Sequence, residues 1–405
     1  MDAYSVETSR EISSAQTLAT LRRTIFFVSL PFFVLNLMLP VYGKQIGASV
    51  MEIGLFYSVF SLVTVLLRPV IGWGLDRFGR RIFYAAGVGG YAVTMISFAF
   101  IDQVWGILAA RILQGIASSL LWLSATAITA DMAGEQERGK AFGGISQATN
   151  QGAMVGTFLG IFLLKSDIHI AGLVNQPSSW MVLFLVYAAI SFYALSLVLR
   201  RLPETKPLQQ AEVDTPIRWT QTWVLLLLIT LVTAASVAMI SPILIIYLQE
   251  KYQVGVETLA WAFLPTGLVW ALLPVYLGKL ADRFGRKPMM LLGLAAAAAS
   301  SFFIPGLGSI FALAALWAFQ EACYAAADPA QRALVADLTG EEQRGRAYGL
   351  YVMCAGLGAT IGPLGGAWLY QAYGAPAPFY ANGIILALCA VVVWLFLKIP
   401  PIAIS

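Results

Sequence analysis

The sequence predicts an all-α membrane protein: twelve transmembrane helices in two pseudo-symmetric six-helix bundles. Three observations lead there. Hydrophobic residues make up 59% of the 405 residues and charged residues 11%, with a mean hydropathy of +0.77, whereas a soluble domain carries about 25% charged residues. Apolar runs near or above the ~20 residues that cross a bilayer recur twelve times along the chain. Whole segments of the first half also return in the second at one fixed offset. The composition excludes a soluble enzyme. The continuous runs exclude a membrane β-barrel, whose strands alternate apolar and polar residues.

Residues 1–23 form a polar N-tail with no cleavable signal, so the first apolar run stays in the membrane. The first bundle, 24–200, holds runs at about 24–43, 50–72, 82–101, 104–130, 140–164 and 180–199. A polar, proline-containing linker at 201–218 leads to the second bundle, 219–405. Its runs fall at about 220–248, 258–277, 288–307, 309–338, 345–370 and 378–398. With the N-terminus in the cytoplasm, 19 of the 25 Lys and Arg lie in cytoplasmic segments and 3 on the opposite side. That bias orients membrane helices and puts both termini in the cytoplasm. The 36 glycines suit close helix packing, and the 11 tryptophans suit the membrane interfaces. Cys323, Cys354 and Cys389 lie inside apolar runs and read as packing residues rather than a disulfide framework. His169 is the single histidine, and no Cys/His cluster accompanies it, so no metal site is expected.

The repeat can be read residue by residue. GWGLDRFGRR begins at Gly72 and GKLADRFGRK at Gly278; ADMAGEQERGKAFG begins at Ala130 and ADLTGEEQRGRAYG at Ala336. Gly152, Gly156 and Gly160 return as Gly358, Gly362 and Gly366, every shift being 206 residues. Two homologous, parallel six-span bundles are the architecture of one large transporter class.

These motifs carry a resemblance over essentially the whole chain, which resembles the major facilitator superfamily. The signature G-x-x-x-D-R-x-G-R-[RK] appears between spans 2 and 3 as Gly72, Asp76, Arg77, Gly79, Arg80 and Arg81. It appears again after span 8 as Gly278, Asp282, Arg283, Gly285, Arg286 and Lys287. Arg111, Gln114 and Gly115 in span 4 look like the R-x-x-Q-G motif. Span 11, from Gly358 to Gly366 with Pro363, is close to the Gly-Pro motif of drug:proton antiporters. That motif normally lies in span 5, where this chain has Thr157 in place of the proline. The resemblance implies a secondary transporter of the drug:proton antiporter branch. It further implies that Asp76 accepts hydrogen bonds at the N-terminus of span 11 and that Arg80 pairs with Asp131 at the end of span 4. Together these would form a cytoplasmic latch, with Asp337 the repeat-related counterpart of Asp131. The alternative is a tight basic turn that only enforces topology.

Polar residues inside the spans mark the candidate substrate path. Arg111 lies about seven residues into span 4, roughly 10 Å deep at 1.5 Å per residue. A charge at that depth faces a bundle interior or a wet cavity. Gln114, Ser118 and Trp122 follow it at helical spacing. Span 10 carries Glu321, Tyr324 and Asp328 at i, i+3 and i+7, span 5 adds Gln147 and Asn150, and span 1 adds Asn36. The resemblance places spans 1, 4, 7 and 10 around a central cavity. Glu321, near mid-span, is the candidate proton carrier, alternating between a proton and the substrate or Arg111. A fixed ion pair with a nearby arginine is the alternative.

The expected function is proton-coupled efflux of small amphipathic or apolar compounds by alternating access, since an aromatic, mostly neutral cavity suits such molecules. A sugar or metabolite symporter or facilitator of the same fold is the alternative. A membrane-embedded enzyme is a remote one, because no nucleophile, base and orienting group stand together in the sequence. No G-x-x-x-x-G-K-[ST] phosphate loop occurs, which excludes an ATP-driven pump in cis. No cofactor is expected beyond the proton gradient. The expected partners are a small-molecule substrate, protons and the lipid bilayer, with no nucleic acid, and the chain is expected to be a monomer in a bacterial cytoplasmic membrane.

Overall fold

The computed structural model describes residues 3–133, 138–165, 178–205, 219–272, 283–339 and 344–397. Among them every regular element is a helix, so each segment satisfies its own backbone hydrogen bonds, the condition for crossing a bilayer. Span 1 comprises α1 (Ala3–Ser29), a π-turn (Val34–Met38) and α2 (Leu39–Gln45). Pro31 and Pro40 flank that π-turn and interrupt the regular ladder on either side of it. The first half continues with α3 (Val50–Phe78), α4 (Arg80–Ala99), α5 (Val104–Met132), α6 (Arg138–Lys165) and α7 (Ser178–Arg201). The second half holds α8 (Gln221–Tyr252), α9 (Val256–Leu272), α10 (Arg286–Phe303), α11 (Ile310–Thr339), α12 (Arg344–Tyr373) and α13 (Ala377–Phe396). Expected spans 2 to 12 thus correspond to α3 to α13.

Ten helices among the described residues are long and apolar enough to cross a membrane. The other two expected spans are α6, diluted by Gln147, Asn150 and Gln151, and α9, of which 17 residues are described. Trp105, Phe162, Phe311 and Trp394 are strongly exposed. Large apolar side chains facing outward from several helices are what a lipid-facing surface requires.

The chain divides into two compact units. Unit 1 is Met1–Gly47 with Leu62–Ala211, and unit 2 is Ala48–Ser61 with Glu212–Ser405. The expected bundles, 24–200 and 219–405, differ from this at one place: the first part of α3 groups with the second half. Within unit 2, a Cβ at Gly54 would lie 2.8 Å from the Pro363 carbonyl oxygen and 3.0 Å from the Ala367 Cβ. At Gly54 that segment of α3 approaches α12 with no room for a side chain.

Inside each unit the same glycines set the packing. In unit 1, a Cβ at Gly152 or Gly156 would overlap the carbonyl oxygen of Phe26 on α1 or of Leu30 just after it, and one at Gly160 would lie 2.8 Å from Val34 Cγ2. In unit 2, a Cβ at Gly358, Gly362 or Gly366 would overlap the carbonyl oxygen of Leu231, Ala235 or Met239 on α8. Lipid tails are as apolar as leucine, so helix association in a membrane rests on such close contact and on hydrogen bonds. Each unit also has a buried polar tie between helices. Thr24 and Tyr84 share a hydrogen bond of 2.7 Å between α1 and α4. In unit 2, Asn382 joins α8 and α10, with Oδ1 2.5 Å from the Ser236 hydroxyl and Nδ2 donating to Ser301 Oγ at 2.7 Å.

Candidate functional site

Three turns of α5 supply the polar centre of unit 1. Arg111 is only 2% exposed, and its Nη1 donates to Gln114 Oε1 at 2.7 Å. The two are three residues apart, hence on one face of the helix. Ser118 and Trp122 continue that face. Tyr91 of α4 reaches it from the neighbouring helix: its hydroxyl interacts with Ser118, Gln114 and Trp122 and lies in the field of Arg111. Phe32, just before the π-turn, places its ring 5.8 Å from Tyr91 and 5.7 Å from Trp122. Asn36 lies within the π-turn, and its Nδ2 donates to the Phe32 carbonyl at 2.9 Å. A guanidinium stays protonated at any working pH. The cluster is therefore a permanent cation set among amides, hydroxyls and ring faces, able to hold an anion or an aromatic amphiphile.

Arg111, Gln114 and Trp122 are thus brought together, with Asn36 one helical turn beyond Phe32 on span 1, and sequence reasoning missed Tyr91 and Phe32. Their only signal is aromatic character in spans 3 and 1, which the apolar background hides. Gln147 lies elsewhere, in a cavity between α1, α6 and α7. Asn150, on another face of α6, does not line it. In unit 2, Glu321 is half-buried and Tyr324 exposed on α11. Asp328 and Asp337 lie on the same helix, with side chains outside the described residues. Arg111 and Glu321 belong to different units.

The loop motif of unit 1 is a network centred on Arg80. Its Nε donates to Asp131 Oδ2 at 3.2 Å, and its Nη1 donates to Asp76 Oδ1 at 3.1 Å and to the Leu75 carbonyl at 2.6 Å. Gly79 has φ +96° and turns the chain into α4, a conformation that favours glycine. The carboxylate at the new helix N-terminus is that of Glu204. Its two oxygens accept from the backbone N–H groups of Arg80 at 2.7 Å and Arg81 at 3.2 Å, where the helix dipole favours an anion. Thr205 ties this end to Asp131 by a hydroxyl bond of 3.3 Å. Arg77 extends over Trp73, 5.3 Å from the ring centroid. Sequence reasoning missed Glu204, which sits in a linker legible only as polar and proline-containing.

The second copy keeps two of these devices. Gly285 has φ +87° ahead of α10. Lys287 donates from Nζ to the carbonyls of Trp394 and Leu397, both at 2.9 Å, at the end of α13. Its repeat partner Arg81 does likewise at the end of α7, donating to the Leu199 carbonyl at 2.5 Å. Arg283 lies 5.7 Å from the Phe284 ring centroid. Gly72 and Arg286 are described, whereas Gly278 and Asp282 lie outside the described residues.

Comparison with known proteins agrees with this architecture. The family profile described as "Major Facilitator Superfamily" matches residues 24–229 and 226–405. "Multidrug resistance protein 1" of Bacillus subtilis (strain 168) is 24% identical over 377 residues, covering 92% of this chain and 94% of that protein. "Multidrug resistance protein MdtG" of Salmonella choleraesuis (strain SC-B67) is 25% identical over 386 residues, covering 91% and 92%. Among solved structures, the nucleoside transporter NupG superposes with a TM-score of 0.74 at 13% identity, covering 95% of this chain and 100% of that one. With both halves matched by the profile and the fold shared, the chain belongs to the Major Facilitator Superfamily and is a multi-pass membrane transporter of small molecules, not an enzyme.

Proposed function

We propose that the chain exports small amphipathic or apolar compounds across the cell membrane in exchange for protons, acting as a monomer with both termini in the cytoplasm. Efflux is supported by the relatives named as multidrug resistance proteins, which align over more than nine-tenths of the chain. Orientation is supported by the Lys and Arg bias. The observation that carries the proposal is Arg111: a fixed cation 2% exposed inside unit 1, held by Gln114 and walled by aromatic rings. Such a site binds a flat amphiphile through ring faces, while a carboxyl elsewhere on the path handles the proton. Glu321 is that carboxyl. Its proton enters from outside, leaves to the cytoplasm, and its charge alternates with substrate occupancy as the two bundles rock about a midplane site. Asp76, Arg77, Arg80 and Asp131, with Asp282, Arg283, Arg286 and Asp337 as their counterparts, act as the cytoplasmic latch. Asp76 engages span 11 when that side is closed.

Inside-out vesicles holding a respiration-driven pH gradient test this directly. Dyes, antibiotics and sugars are added in turn to wild type and to Glu321→Gln. At least one dye or antibiotic should discharge the gradient with wild type and leave it intact with the variant. Discharge by both would move the proton to another residue. Silence towards every compound, with labelled sugar still crossing, would replace the exporter by a facilitator.

A further inference from the structure

The cavity that takes in Gln147 is separate from the Arg111 cluster. It lies between α1, α6 and α7, encloses about 580 Å³ and has a basic mouth. Arg22 and Arg23 stand where the polar N-tail passes into the first apolar run, and Arg201 stands where α7 leaves the sixth. The three exposed arginines thus line one cavity, each at the end of an apolar run. Among the described residues none of them pairs with a carboxylate. Like charges gathered around one cavity repel one another until an anion joins them.

The walls change with depth. Gln147 and Gln151, one turn apart on α6, present amides. Phe27 and Tyr193 then form an edge-to-face pair, with ring centroids 5.2 Å apart. Tyr193 is 53% exposed, beside exposed Phe192 on the outward face of α7. Gly144 completes the mouth: a Cβ there would lie 3.1 Å from Arg22 Cδ, so its absence lets the arginine stem lie along α6. Cations at the surface, amides beneath and aromatic surface deeper repeat the order of phosphate, glycerol ester and acyl chain in one phospholipid. A soluble phosphate would use the arginines alone and leave the aromatic wall unoccupied. We propose that this cleft on the flank of the first bundle binds an anionic phospholipid, with its phosphate on Arg22, Arg23 and Arg201 and its acyl chain against Phe27 and Tyr193.

The full chain would be purified, placed in phosphatidylethanolamine nanodiscs and titrated with phosphatidylglycerol, with inorganic phosphate as a separate arm. Retained lipid and melting temperature are the readouts. Wild type should retain phosphatidylglycerol and melt higher with it, and high salt should weaken both effects. Each Arg→Gln change should weaken retention about fivefold, and the triple change at Arg22, Arg23 and Arg201 about a hundredfold. The triple Arg→Lys variant should keep most of the binding, since the phosphate reads charge first. A photoreactive phosphatidylglycerol on wild type should label α1 or α7 near Phe27 or Tyr193, a measurement independent of whether the triple variant folds. Equal retention by a folded triple Gln variant, labelling elsewhere, or a melting shift reproduced by inorganic phosphate alone would overturn the proposal.

Discussion

The two halves of the chain agree in their glycines and disagree in the polar groups inside their spans. Gly87 packs on α5, where a Cβ would lie 2.5 Å from Leu121 N; 206 residues on, Gly293 packs on α11, where a Cβ would lie 2.7 Å from the Ala327 Cβ. The ladders of α6 and α12 press on α1 and α8 in the same way, and Gly79 and Gly285 share a positive φ. The intramembrane polar groups do not repeat: the counterpart of Arg111 is Trp317, that of Glu321 is Gly115, and that of Asn36 is Pro242. A duplicated backbone must keep the contacts that let helices touch, because no side chain can substitute for a missing Cβ. Polar residues are under no such geometric demand. One half has come to carry a fixed cation and the other a carboxyl.

The largest effect expected is on the shared feature. Gly156→Val drives a side chain into the Leu30 carbonyl, and Gly362→Val drives one into that of Ala235. Neither obstacle is the end of a flexible side chain, so each should cost about 3 kcal/mol or more, at the upper end of overpacking. Thermal melting of the detergent-purified protein should show two losses of similar size. If one variant melts like wild type while the other collapses, the halves are not equivalent in packing.

The next prediction breaks the symmetry. Arg111→Gln removes the cation and leaves Gln114 and Tyr91 to rearrange, and a lost charged hydrogen bond is worth about 1.5–3 kcal/mol. Trp317→Gln, at the repeat-related position, should leave dye transport much closer to wild type than Arg111→Gln does. Equal transport defects in vesicles would mean that Arg111 matters only for packing.

Much of this was open to reading in the sequence, for physical reasons. Twelve spans follow from the length of apolar runs against the bilayer thickness, and the duplication from a single offset. Arg111 and Gln114 stood out because a charge in an apolar run is rare. Tyr91 and Phe32 did not, because a ring in a membrane helix carries no contrast. Glu204 was hidden for the opposite reason: one carboxylate in a polar linker has nothing to distinguish it until the chain folds it back onto the start of α4. The grouping of Ala48–Ser61 with the second half is encoded by no periodicity.

Glu204 gives a mid-sized test. Glu204→Ala removes the acceptor for the backbone N–H groups of Arg80 and Arg81 at the start of α4 and should cost about 1 kcal/mol, the usual worth of a helix cap. Glu204→Gln keeps an acceptor and loses the charge, so its smaller loss should shrink further in high salt. A salt-independent loss in Glu204→Gln would show that the dipole plays no part.

The smallest effect returns to the shared geometry. Arg81 and Lys287 each place a cation on the last carbonyls of the final helix of their half, and replacing either by Met should cost about 0.3–1 kcal/mol. Lys287 serves two carbonyls, Trp394 and Leu397, and Arg81 is seen on one, Leu199. Lys287→Met should therefore fall at the upper end of that range and Arg81→Met at the lower. A reversed order in melting temperature would mean that the Arg81 guanidinium acts mainly through its neighbours in the Arg80–Glu204 network, which the second half does not share among its described residues.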